Sequence, residues 1–413
     1  MRFVPAYITL YFVYGAIFPY LPIFVRNLGY PAATVGILLS IAEGAGILGP
    51  FIFGRAADKY GKYKGFINLS YIIIAATIVP LVYFVHPVIS AVLIALCAVG
   101  YRSIQPLIDA ITTINLGEKG NYGKIRVFGS IAYVCFMFFL QWVPVMRPNT
   151  PINIAAWICI SSVLAVVTIT LLPPKYTTHA SPSRNSSPSK KNADGKVPPK
   201  PQASQTIVRA VPLRQKSIWT VFFTIGLISI ALNRLAMTPL QSFFPLFIVE
   251  YMHWDAVGFM MALSGIAEIP FIFFSRPIIR RFGTMPILVF TSIMVALRLG
   301  ICAVFPFKAG VISAQLLHSF CFGLFHPASV AFISACAPPE QRSYGMALYL
   351  SLGWGLPALL GNFIGGFVVD YAGYRSLFGY FTVFALLSAA IYPAYCLLNR
   401  FTKNVQENKK NGV

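Results

Sequence analysis

Apolar residues in this chain come in long blocks separated by short charged, polar or Pro/Gly breaks. Twelve such blocks can be counted, at residues 5–25, 32–54, 66–85, 88–116, 125–146, 152–173, 217–249, 256–275, 284–305, 309–335, 343–369 and 376–399. A helix needs about 20 predominantly apolar residues to cross a bilayer core. Hydrocarbon offers no partner for an unsatisfied backbone amide, so the blocks are expected to be helices and the fold an all-α membrane protein. The first block has no small-residue cleavage site and reads as a retained span, not a signal peptide.

Composition agrees: 57% of the 413 residues are hydrophobic and 10% charged, with mean hydropathy +0.72. Ordinary soluble domains carry roughly 25% charged residues, so a water-soluble globular fold is excluded. The net charge of +21 suggests nucleic acid until the charges are placed along the chain. With the N-terminus inside, twenty-five of the 32 Lys/Arg fall in cytoplasmic segments, and only Arg26, Arg147, Lys308 and Arg375 fall outside. This asymmetry predicts cytoplasmic termini. The basic charge is then topological, with some attraction to anionic lipid headgroups and no nucleic-acid partner. Short loops suit a bacterial inner membrane. All seven cysteines lie in apolar spans without a CxxC pair, and read as small hydrophobes in helix packing. No metal or disulfide framework is visible.

Residues 174–216 break the pattern. The stretch SPSRNSSPSKKNADGKVPPKPQASQ is rich in Ser, Pro and Lys and cannot build a core, which predicts a disordered cytoplasmic linker. It divides the chain into a six-helix bundle at 1–173 and another at 217–399, with a tail at 400–413. The halves repeat. VGILLSIAEGAGILGPFIFGRAADKYG (35–61) aligns without gaps on VGFMMALSGIAEIPFIFFSRPIIRRFG (257–283), pairing Val35 with Val257, Gly36 with Gly258, Phe51 with Phe273 and Gly61 with Gly283. Glu43 and Glu268 fall about one helical turn apart in that frame. Repeated halves with a site at their interface are the architecture of a secondary transporter.

An ionisable side chain in a span is costly and usually faces the bundle interior. Eight occur in the spans: Glu43, Arg102, Asp109, Arg234, Glu268, Arg298, His318 and His326. Arg102, Gln105 and Asp109 share one helix face, as a binding stripe or as glue between helices. Desolvation raises a carboxylate pKa and a nearby cation lowers it, so Glu268 close to Arg298 and His318 would sit between those pulls and could exchange a proton. A permanent ion pair with Arg298 is the alternative. His318 and His326 could titrate or be satisfied interior histidines. Tyr7, Tyr11, Tyr14 and Phe18 form a stripe on the first span, and Trp354 lies between two glycines; both read as packing. Arg234, with no acid nearby in sequence, favours an anionic ligand. No nucleophile elbow, phosphate loop or metal cluster is present, so no enzyme is expected.

GRAADKYGKYK (54–64) resembles the signature loop of the major facilitator superfamily, with Gly54, Asp58 and Gly61 at its spacing. There Gly54 is expected to admit close helix approach and Asp58 to latch across the half, giving the three a gating role. The second copy has Arg280 where the first has Asp58. Within the superfamily the chain looks most like the branch of lactose permease and the phenylpropionate and nucleoside proton symporters. YGKIRVFGSIAY (122–133) carries that resemblance, as does the span-11 entry QRSYGMALYLSLGWG (341–355). The resemblance implies that Arg126 pairs with Asp109 to bind sugar hydroxyls and that Tyr133 stacks on the ring. It implies that Glu268, Arg298 and His318 form the proton-coupling network, with His326 added in the phenylpropionate manner. Where lactose permease has a glutamate one turn after its histidine, this chain has Cys321, leaving Glu268, Asp109 and His326 as proton acceptors.

The expected function is proton-coupled import of a small polar solute by a monomer using alternating access, with no cofactor beyond the proton gradient. The substrate set is Asp109, Arg126, Tyr133, Arg234 and Glu268. The Asp109/Arg126 pair suits a sugar or nucleoside, because arginine and carboxylate both serve vicinal hydroxyls. The alternatives are an aromatic carboxylate held by Arg126 or Arg234, a proton-driven exporter, and a non-transporting membrane sensor.

Overall fold

The structure, a computed structural model, describes residues 2–116, 122–143, 146–173 and 217–410. The expected linker at 174–216 and the last three residues lie outside the described set. The helices are α1 (Val4–Asn27), α2 (Ala32–Tyr60), α3 (Tyr63–Tyr83), α4 (Pro87–Leu116), α5 (Tyr122–Trp142) and α6 (Pro151–Leu171) in the first half. The second half has α7 (Val221–Tyr251), α8 (Val257–Phe282), α9 (Thr284–Val304) and α10 (Lys308–Cys336). A last continuous segment, Pro339–Arg400, divides at Gly373 (φ 77°, ψ 176°) into α11 and α12. Among the described residues the count is therefore twelve, as the apolar blocks predict. The helix of α12 runs on to Lys410, into the region expected to be a tail.

The repeat is visible in the backbone. Gly61 ends α2 and Gly283 ends α8, both at positive φ (63° and 87°), a region that favours glycine because no Cβ meets the carbonyl. α8 also bends by 54° between Phe271 and Phe273. Pro277 lacks the amide that would bond the Phe273 carbonyl, and its ring crowds that carbonyl, which accounts for the kink.

Two helix pairs carry most of the contact between the halves, α2 with α11 and α5 with α8, and α1 meets α7 beside them. Their polar contacts gather at one end of the molecule. Arg26 of α1 meets Glu250 of α7 at 2.6 Å, and Tyr374 donates to the other oxygen of Glu250 at 2.8 Å. Asp370 of α11 accepts from the Ala32 and Ala33 amides at 2.9 and 2.7 Å. It thereby satisfies two of the orphan donors at the α2 N-terminus, where a carboxylate is also favoured by the helix dipole. Arg147 meets Asp255 at 2.5 Å, and Gln141 bonds the backbone of Asp255 and Phe259. Below this belt α2 and α11 are in backbone contact: a Cβ on Gly36 would lie 2.5 Å from the Asn362 carbonyl, and one on Gly366 would lie 2.5 Å from the Ala32 carbonyl.

At the opposite end, α2 and α8 expose Phe51, Ile52, Tyr60, Phe273, Phe274 and Phe282. Gly54 differs from expectation. A Cβ there would meet nothing within 4 Å, so in this conformer no helix approaches it. Asp58 accepts a hydrogen bond from Tyr63 in its own half. The halves are thus closed at the 26–36 end and parted at the 54–64 end.

The closed end depends on side-chain-free backbone at Gly36 and Gly366. Forcing a side chain into a packed contact costs roughly 1–3 kcal/mol. Gly36→Val should therefore move part of the population to a conformer open at this end, and Gly36→Val/Gly366→Val should move most of it. Pulsed electron–electron distances between spin labels at Asn27 and Tyr371 check this; an unchanged distribution in the double variant would refute the role assigned to this contact.

Candidate functional site

The ionisable groups singled out in the spans gather into clusters within each half, and Arg126 and Arg234 lie in electrostatic range of groups in the opposite half. In the first half, Arg102 of α4 meets Glu43 of α2 at 2.5 Å. Gly46 leaves the room this needs, since a Cβ there would lie 2.7 Å from Arg102 Cγ. The same guanidinium lies over Phe18 and Tyr101 at 5.4 and 5.5 Å. Seven residues along α4, Asp109 accepts a hydrogen bond from Tyr7 of α1 at 2.6 Å.

The expected Asp109–Arg126 pair is not formed among the described residues. Arg126, at the start of the second turn of α5, instead lies within electrostatic reach of Glu268 and His326 on the other half. Tyr133, two turns further along α5, packs against Gly265 of α8, where a Cβ would stand 3.6 Å from the ring. The ring thus sits about one turn from Glu268, while the tighter neighbour of Gly265 is Val134, whose Cγ2 would lie 3.0 Å from a Cβ there. One tyrosine of the first-span stripe thus does more than pack, since Tyr7 holds Asp109.

In the second half, Glu268, His318 and Arg298 are brought together in a fixed order. His318 Nε2 lies 3.7 Å from Glu268 Oε2, and Arg298 Nη1 lies 2.9 Å from His318 Nδ1. Arg298 also donates to Gln315, whose own amide donates to the Met260 carbonyl at 2.9 Å. Arg298 is 2% exposed, and burying an unpaired charge is strongly destabilising. Gln315, which sequence reasoning passed over, is part of the reason it can be buried. The direct Glu268–Arg298 ion pair weighed from sequence does not form; the imidazole stands between them. Cys321, at the position of the missing glutamate, lies beside Arg298.

Further along the seam is an aromatic wall. His326 Nδ1 bonds the Tyr349 hydroxyl at 2.8 Å, and Trp354 lies 5.5 Å from the His326 ring and 5.9 Å from Phe322. His318, Phe322 and His326 stack in series along α10 at 5.7 and 6.4 Å, because i, i+4 and i+8 share a helix face. Three of these helices have π-helical turns at or beside the site: Pro239–Phe243 in α7, Ser319–Gly323 in α10 and Tyr349–Gly355 in α11. Such turns are found mainly where function re-aims side chains. The wall includes Trp354, which sequence reasoning had assigned to packing. The flanking Gly353 and Gly355 were the available signal.

Arg234 of α7 lies against the Trp354 ring at 4.6 Å and is 3% exposed. Its Nε and Nη1 have no hydrogen-bond partner. Glu43 and Arg102 of the other half and Tyr349 are within electrostatic range. A desolvated cation–π contact supplies about 2 kcal/mol, whereas burying an unpaired ion costs several. Trp354 alone therefore does not offset the burial of this guanidinium.

This twelve-helix architecture has many relatives. The sequence profile of the MFS_1 like family matches residues 2–380. The maltose permease of Geobacillus stearothermophilus is 21% identical over 388 residues, covering 93% of this chain and 91% of that protein. The xanthosine permease of Escherichia coli (strain K12) is 22% identical over 400 residues, covering 92% of each. The crystal structure of the nucleoside transporter NupG superposes with a TM-score of 0.73 at 18% identity, over 95% of this chain and 98% of that one. The fold and the profile agree with the signature loop at 54–64: the chain belongs to the MFS_1 like family and is a membrane transporter of the major facilitator type.

Proposed function

We propose that the protein is a proton symporter that imports a sugar or nucleoside, as a monomer in a bacterial inner membrane with both termini in the cytoplasm. The observation that carries the reading is the Arg298–His318–Glu268 chain, which ends in a carboxylate on the seam. A guanidinium only donates hydrogen bonds, so His318 must accept at Nδ1 and carry its proton on Nε2, facing Glu268. Adding a second proton to His318 would set two donors against each other. Glu268 is thus the group that gains and loses the proton, and His318 positions it.

Coupling follows from the location of Glu268. Arg126, from the opposite half, acts on this carboxylate through space, so its environment depends on how the halves sit. A ligand shifts a conformational equilibrium only by its differential affinity for the two states, and the same holds for a proton. Proton and solute meet on the seam, one at Glu268 and the other among Tyr133, Arg126, Asp109 and the aromatic wall. Planar arginine and carboxylate groups suit vicinal hydroxyls, and aromatic faces suit a sugar ring or a base. With the basic loops cytoplasmic, the parted 54–64 end faces inward, and the conformer is the one that releases solute. The maltose and xanthosine permeases supply the two substrate classes to test first.

De-energised proteoliposomes in weak buffer test the proposal by external pH after pulses of maltose, xanthosine or 3-phenylpropanoate. Wild type should alkalinise the medium with one class, and Glu268→Gln should abolish that signal while substrate counterflow persists. Solute entry without proton movement in both proteins would make this a uniporter. Counterflow absent for every class, with binding retained, would indicate a sensor.

The role given to His318 has its own test. His318→Gln keeps a donor toward Glu268 but cannot titrate near neutrality, so proton uptake per solute should be unchanged even if the rate falls several-fold. Loss of proton uptake in this variant would move the proton-carrying role to the imidazole.

A further inference from the structure

Among the described residues, the interior clusters hold four arginines, Arg102, Arg126, Arg234 and Arg298, and three carboxylates, Glu43, Asp109 and Glu268. Glu43 is engaged by Arg102, Asp109 by Tyr7, and Glu268 by the His318–Arg298 chain. Arg234 is left with two buried donors, Nε and Nη1, that no protein acceptor meets, against one, Nε, at Arg298. It is not a lipid-facing residue reaching for headgroups: at 3% exposure it lies inside the bundle. Glu43 and Arg102 reach it electrostatically from the other half, which sets it on the seam. One of its faces is already covered by the Trp354 ring. That ring continues into the His326–Tyr349–Phe322 wall, and His326 is exposed.

We propose that Arg234 and Trp354 form a specificity subsite that takes an acidic planar solute, the acidic group on the Arg234 guanidinium and the ring along the Trp354–His326 wall. This rests on the transporter reading above and departs from it in one respect: in place of a neutral sugar the solute is an aromatic or heteroaromatic anion, of which a nucleoside with an acidic base is one. Three features support it together. The buried donors need an acceptor, and an anion is the strongest one available to a guanidinium. A buried guanidinium with open donors disfavours a cationic solute and is neutralised by a monoanion. The wall presents ring faces rather than hydroxyl-matching polar groups, and aromatic faces recognise flat rings by offset or edge contact. Glu43 is the internal competitor for Arg234. It already pairs with Arg102, and releasing it would leave that arginine unpaired in turn.

The full-length protein in lipid nanodiscs is titrated calorimetrically at neutral pH with two matched pairs. Xanthosine, largely anionic at that pH, is set against inosine, and 3-phenylpropanoate against 3-phenylpropanol. The acidic member of at least one pair should bind about tenfold or more tightly than its neutral partner. Arg234→Gln should erase that ratio, Arg234→Lys should keep part of it, and Trp354→Ala should weaken both members together. A wild-type ratio near one, or no heat from either acidic probe, overturns the proposal. So does an Arg234→Gln variant that keeps the ratio, or that changes only the spin-label distances between Asn27 and Tyr371, since Arg234 would then serve the interface. If Arg234→Gln does not fold, the wild-type ratio and the Lys variant decide. The outcome is independent of proton coupling: a symporter selective for neutral solutes retains the Glu268→Gln phenotype and lacks the acid preference.

Discussion

The constraint behind this architecture is the expense of a charge in hydrocarbon. Insertion scales put it at about 2.5–3.5 kcal/mol for Arg, Lys or Asp at a helix centre. A helix can carry such a residue only by turning it toward another polar group, and in a pair of six-helix bundles the place where many helices converge is the seam. Glu43 with Arg102, Tyr7 with Asp109, and the Arg298–His318–Glu268 chain are three solutions to the same problem. In the proposed symport each also puts reactive groups where the solute would pass, so the burial that stabilises the fold and the chemistry of transport would draw on the same residues.

The two ends of the seam are built differently. The closed end is a belt of ion pairs and helix caps over a glycine contact: Glu250, Asp255 and Asp370 come from the second half, and Arg26, Arg147 and the α2 N-terminus from the first. Acids on one side and positive groups on the other give attraction without self-repulsion within either half. Exposed ion pairs contribute only about 0–1 kcal/mol each, so this belt biases the conformer and does not lock it. That is what a molecule that must alternate requires. At the parted end, Gly54 stands clear of any neighbour while Gly36 is in backbone contact. One helix thus carries small residues at both ends, and in this conformer only one of them is used.

Twelve spans, two halves and the repeat were legible because they follow from hydropathy and self-similarity, which act over tens of residues. The list of buried charges was legible too, since an ionisable residue in an apolar block stands out. Their pairings were not. Asp109 bonds Tyr7, a residue 102 positions away that looked like packing. The imidazole of His318 lies between Glu268 and Arg298, an order set by π turns and the bend in α8 that periodicity does not encode. Glu250 and Asp370 look like ordinary span-end charges until α1 and α2 are brought against them. Close helix approach at Gly54, expected from the signature loop, is not seen in this conformer, where a Cβ there would meet nothing within 4 Å.

The division of labour between halves has a consequence for coupling. In the first half the acids are held by partners from that half, whereas in the second half the chain ends at Glu268 and Arg234 has unmet donors. In the proposed symport the second half is the one whose electrostatic balance changes when a proton or a solute arrives. Arg126 would carry that change across the seam, because it lies within electrostatic reach of Glu268 and His326 from the opposite bundle. Coupling energies between sites are typically 1–3 kcal/mol. A guanidinium close to a carboxylate of low solvent access supplies interactions of that order at an effective dielectric of about 20. Tight obligatory contact between proton and solute sites is not required; it is enough that both act on one seam and that Arg126 moves with one half of it.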